Sequence, residues 1–111
     1  MKHDGFIEQA MLIAGKSNQN HQHGAIIVHR NKIIASGYNK IDPLNFKAST
    51  HAEVAAINEM KKIRNCPVDQ VKMYVIRLGS CGTKNSKPCI NCERSIIESG
   101  IRRVYFSCND P

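Results

Sequence analysis

The sequence predicts an α/β chain built on a mixed sheet, with an antiparallel hairpin near the N-terminus followed by a parallel pair of strands and helices over the sheet. Three observations carry this. Two β-branched runs flank the dipeptide Arg30-Asn31, and asparagine tolerates the positive φ of a tight hairpin turn. Helix-period segments precede that hairpin and follow it. A strand, helix, strand order then closes the chain, which implies a parallel pair joined by a right-handed crossover.

From about Asp4 to Ser17, Phe6, Ile7, Ala10, Met11, Ile13 and Ala14 recur at three- and four-residue spacings, the pattern of an amphipathic helix. Gly24 to His29 and Lys32 to Tyr38 form the hairpin. From Asn39 to Thr50 there is no clear period, and Asp42-Pro43 and Asn45 mark a loop. Thr50, with Glu53 three residues later, has the spacing of a capping box. A second helix follows through Val54, Ala55, Ala56, Ile57, Met60 and Ile63 and ends at Cys66-Pro67. Val71 to Leu78 reads as the third strand, and Gly79 to Lys87 as irregular backbone. Pro88 suits the first turn of a helix running to Ser99, Gly100 suits its C-terminal cap, and Arg102 to Ser107 is the fourth strand.

With 111 residues, 41% hydrophobic and 23% charged, the chain has the size and balance of a single folded domain spanning residues 1–111. Its longest apolar runs, such as Ala25-Ile26-Ile27-Val28, fall far short of the ~20 residues needed to span a bilayer. No secretory leader is visible at Met1-Lys2-His3-Asp4-Gly5, so a reducing, cytoplasmic location is expected. Sixteen Lys and Arg against nine Asp and Glu give a net charge of +7. That suits an anionic partner such as a nucleotide or RNA, although charge alone reads more simply as an ordinary solvated surface. Five cysteines make metal ligation or catalysis a better question than a disulfide framework.

Cys89-Ile90-Asn91-Cys92 places two sulfurs at i and i+3 on one helical face, near a helix N-terminus whose dipole favours thiolate. Such a pair also serves structural zinc sites and dithiol redox centres. His51 opens the preceding helix, so His51, Cys89 and Cys92 are positioned to converge as three of the four ligands zinc prefers, leaving one open position. Glu53 adds the carboxylate that a metal-activated water needs to take its proton. Taken singly, Glu53 reads more simply as a capping residue with Thr50 and His51 as a surface or first-turn histidine; the joint pattern is harder to explain structurally.

His51-Ala52-Glu53 followed by Pro88-Cys89-Ile90-Asn91-Cys92 resembles the zinc-dependent cytidine and deoxycytidylate deaminase superfamily, whose signature is His-x-Glu with Pro-Cys-x-x-Cys. The resemblance covers most of the chain, including Ser36-Gly37-Tyr38-Asn39 at the end of the second strand. It implies a three-layer α/β/α sandwich of the cytidine-deaminase kind, with zinc on His51, Cys89 and Cys92 and Glu53 as proton shuttle. It further implies that Asn39, the backbone of Ala52 and the region of Pro88 orient the base. Members of that family usually continue past the fourth strand, so the resemblance makes the C-terminal strand apparently missing after Asn109-Asp110-Pro111. An open edge of that kind would be shielded in a homo-oligomer.

The expected reaction is hydrolytic deamination of a cytosine nucleoside or nucleotide, that is cytidine, deoxycytidine or their monophosphates, to the uracil product and ammonia. Two alternatives remain: an RNA-acting deaminase of the transfer-RNA adenosine type, supported by the +7 charge and the short stretch from Asn39 to His51, and a non-catalytic zinc-binding module. Phe46, Lys84 and Lys87 are possible substrate contacts but read more simply as a core plug and solvated lysines. Cys66, Cys81 and Cys108 read as incidental thiols, and His21 and His23 as loop residues before the hairpin.

Overall fold

The computed structural model describes the backbone of residues 2–17, 22–42, 45–78 and 90–109. Its elements are helix α1 (Lys2–Ala14), strands β1 (Gln22–His29), β2 (Lys32–Tyr38), β3 (Lys40–Asp42) and β4 (Asn45–Thr50), helix α2 (Ala52–Lys61), a 3₁₀ turn (Val68–Gln70), β5 (Lys72–Leu78), helix α3 (Ile90–Ser99) and β6 (Arg103–Asn109). The main sheet has the order β2-β1-β5-β6. β1 is antiparallel to both β2 and β5, whereas β5 and β6 are parallel. This is the mixed sheet expected from the sequence, with α3 lying between the parallel strands in the chain.

Arg30 and Asn31 both take positive φ, 52° and 66°. That pair matches the right-handed twist of the flanking strands, which is why so short a turn closes the hairpin. β1 then runs buried from Gly24 to Val28, because helices cover both of its faces. Ile26 and Val28 join Ala10, Ala14, Tyr74 and Ile76 beneath α1. Ala25 and Ile27 join Ala56, Ile57, Met60, Met73, Val75 and Ile96 beneath α2 and α3. The period-2 alternation of the strands thus feeds two cores, one on each side of a single sheet. Among the described residues, no helix is long and apolar enough to cross a membrane.

Three sequence expectations need correction. Residues 40–50, expected as a loop, carry a small antiparallel pair, β3 with β4, in which Lys40 faces Thr50 and Ile41 faces Ser49. Six-residue β4 alternates too weakly in hydrophobicity to be read as a strand. Thr50 does not cap α2: it belongs to that ladder, and the N-cap is His51 in extended conformation, with no side-chain cap hydrogen bond. His23 lies within β1, half-buried, rather than in the preceding loop.

Candidate metal centre

Helix α2 is set directly on β2, and Gly37 explains how. A Cβ at this position would stand 2.5 Å from the Ala56 nitrogen and 2.7 Å from the Ala52 oxygen, so only a residue without a side chain lets the helix backbone approach so closely. The first turn of α2 is thereby fixed over the end of β2. Its first intrahelical bond runs from the Ala55 N–H to the His51 carbonyl at 2.9 Å. α2 leads back to the start of β5, and α3 leads back to the start of β6. Both helices therefore begin at the rim formed by the last residues of β2 and β5 and the first of β1. They also pack against each other.

At this rim His51 is exposed and Glu53, two residues on, is 3% exposed. Burial pushes the Glu53 carboxyl above the usual carboxylate range, opposed by its own backbone N–H and by the neighbouring His51 charge. A buried acid is an expensive group to keep without a partner. Ala52, the first residue of the helix, is fully buried, and the N–H groups of a first turn have no intrahelical acceptor.

Asn39 closes the rim from the sheet side. Its Oδ1 accepts the backbone N–H of His23 at 2.7 Å, and its own N–H donates to the His23 carbonyl at 3.3 Å. The side chain is almost wholly buried. Cys92 is the third residue of α3; Pro88 and Cys89 lie outside the described residues, as do His21, Cys81, Lys84 and Lys87. Phe46 and Cys108 fall in β4 and β6. Among the described residues no group of three or more His, Cys, Asp or Glu side chains gathers to hold a metal. Cys66 is a free thiol packed against the α2 and α3 core, and burial pushes it up, away from the reactive thiolate.

The donor chemistry fits zinc. A histidine at the start of α2 and a thiol in the first turn of α3 are borne by two helices that start from one rim, and a buried carboxyl stands beside the histidine. These are the residues the sequence singled out as candidates; it placed His23 in a loop rather than in β1 and gave Gly37 no packing role. A glycine inside an otherwise regular strand pattern was the available signal for a close backbone approach.

A family model described as the cytidine and deoxycytidylate deaminase zinc-binding region matches residues 1–108. The chain belongs to this family of deaminases, and zinc is the metal of the matched region. Among its relatives, the tRNA-specific adenosine deaminase of Buchnera aphidicola subsp. Schizaphis graminum is 32% identical over 87 residues, covering 78% of this chain and 51% of that protein. The chain thus spans about half the length of that relative. Among solved structures, the cytidine deaminase of Burkholderia pseudomallei superposes with a TM-score of 0.78 at 21% identity, covering 97% of this chain and 86% of that one. The dCMP deaminase of cyanophage S-TIM5, solved with dCMP and dUMP, gives a TM-score of 0.69 at 24% identity, covering 98% and 82%. The chain has the cytidine deaminase-like fold.

Proposed function

We propose that residues 1–111 form one zinc-dependent hydrolytic deaminase domain that replaces the amino group of a cytosine nucleoside or nucleotide by oxygen. The observation that carries this reading is the buried Glu53 carboxyl two residues beyond His51 at the head of α2. In this reading His51, Cys89 and Cys92 hold zinc. When bound, zinc supplies the Lewis acidity that brings the pKa of a water to about 7.

Glu53 takes a proton from the attacking water at a carboxylate oxygen and passes it to the ring nitrogen. A second transfer through the same oxygen protonates the departing amine, so that water is consumed and ammonia leaves. Burial raises the proton affinity of Glu53, which suits a group that must accept a proton and return it. Asn39, held by His23, orients the base together with the first-turn N–H of Ala52 and the backbone near Pro88. A second copy of the chain shields the β6 edge of the sheet in this reading, and sedimentation of the purified protein tests it.

A second reading, deamination of adenosine in transfer RNA, is favoured by the 32% identity to a protein of that activity. One experiment separates the two: ammonia release by zinc-loaded protein from cytidine, deoxycytidine, their monophosphates, guanine, adenosine and transfer RNA, with Glu53→Ala in parallel. Release from a small cytosine substrate, abolished in the variant, is expected. Release from transfer RNA alone selects the second reading. No release from any of them by a protein that binds zinc overturns both readings, and leaves either a non-catalytic zinc module or a substrate outside this set.

A further inference from the structure

The end of the sheet remote from His51 and Glu53 carries cations and aromatic rings on one face. Its last rung on the α1 face sets Val28 opposite Lys72, and Lys72 opposite Arg103. Arg30 and Asn31 form the turn beyond it. A cavity of about 200 Å³ opens there between Phe6, Val28, Arg30, Asn31, Gln70 and Lys72. On the same face three rings form a ladder: Phe6 lies 5.3 Å from Tyr74, and Tyr74 stacks on Tyr105 at 5.1 Å and 21°. α1 packs on β1 and β5, and Tyr105 keeps 40% of its surface exposed. Arg103, two residues earlier on β6, shares that face and is exposed.

Arg30, Lys72 and Arg103 form no ion pair among the described residues; the acid nearest in sequence at this end is the exposed Asp69 of the 3₁₀ turn. Cations alternating with a partly exposed, stacked ring match the chemistry of single-stranded nucleic acid, in which phosphates track a positive surface and bases stack on aromatic side chains.

We propose that this end of the sheet binds a single-stranded polynucleotide, with phosphates on Arg30, Lys72 and Arg103 and one base stacked on Tyr105. The surface is separate from the deaminase site. The seven residues of β5 at about 3.3 Å each place the two ends of the sheet roughly 20 Å apart.

The test is fluorescence anisotropy of a labelled oligouridylate of roughly 12 nucleotides, within the ~4–16 nucleotide span of known single-strand sites, on the zinc-loaded full chain. Uridylate has no exocyclic amine to be removed. Three phosphate contacts at about −0.7 each predict a log–log salt slope near −2, and the Lys72→Ala, Arg103→Ala double variant lowers its magnitude by about 1.4. Tyr105→Ala weakens binding about fivefold or more, and Tyr105→Phe restores it. Binding also quenches tyrosine fluorescence, since the chain has no tryptophan.

Glu53→Gln binds as the parent does, so failure of the deaminase reading leaves this result standing. A thymidylate oligomer that binds equally supports the proposal for either sugar, and one that binds more weakly supports it for RNA. No binding, an unchanged slope in the folded double variant, or equal competition by inorganic polyphosphate overturns the proposal. Arg30→Ala, in the turn, provides the same readout should the double variant fail to fold.

Discussion

Replacing Gly37 by alanine tests whether the strand glycine sets the position of the candidate metal centre. The added Cβ would lie 2.5 Å from the Ala56 nitrogen, 2.6 Å from the Ala55 Cβ and 2.7 Å from the Ala52 oxygen, where ordinary contact begins at 3.4 Å. α2 must therefore withdraw by about 0.7–0.9 Å, the difference between those distances. Two of the three atoms are helix backbone and cannot rotate away. Overpacking of this kind costs ~1–3 kcal/mol, partly offset by the ~0.5–1 kcal/mol that alanine gains over glycine in a strand. Urea unfolding should show a lower midpoint at unchanged slope, and zinc affinity should fall as well, because His51 and Glu53 move with the helix. Gly5→Ala is the control: it lies in α1 with nothing within 4 Å and gains up to about 1 kcal/mol of helix propensity. A Gly37→Ala protein with the parent's midpoint and zinc affinity would refute the argument.

Other perturbations have defined signs. Gly100 holds φ at +91° after α3, so Gly100→Ala should cost ~1–2 kcal/mol in thermal unfolding. Asn39→Ala removes the acceptor of the His23 N–H; a loss of ~1–3 kcal/mol and faster hydrogen exchange at the His23 amide are expected. In metal-free protein the raised Glu53 carboxyl means the folded state holds its proton more tightly than the unfolded chain does. Stability is then highest at acid pH and falls as pH rises from the ordinary carboxylate range through the folded value. Metal-free Glu53→Gln should melt above the parent beyond that window and together with it below pH ~4; identical melting at all pH values would show that Glu53 is not desolvated.

What the sequence disclosed was what local chemistry determines. The Arg30-Asn31 turn was legible because few dipeptides accept two consecutive positive φ values, and α1 was legible from the spacing of Ala10 and Ala14. His51 and Glu53 could be named as a candidate ligand and a candidate proton shuttle because their residue types and spacing suggest that chemistry without tertiary information. β3 and β4 were not, since three and six residues of mixed polarity acquire strand geometry only by pairing with each other. The cap was misplaced for the same reason: Thr50 is held by Lys40 across that ladder, which passes the capping position to His51. The burial of Glu53 and the commitment of Asn39 to His23 depend on strands that meet only in the folded chain.

The pairing of β1 with β5 joins residues about fifty apart and encloses β2, β3, β4 and α2 in one closed loop. His51 rides inside that loop, whereas Cys89 and Cys92 follow it in the chain. In the proposed zinc site, bringing them together would wait on a slow kind of folding event, a long-range strand closure whose entropy must be overcome before its contacts form. A metal held across that closure would leave the rate of folding nearly unchanged and act on the rate of opening, as a latch rather than as a template.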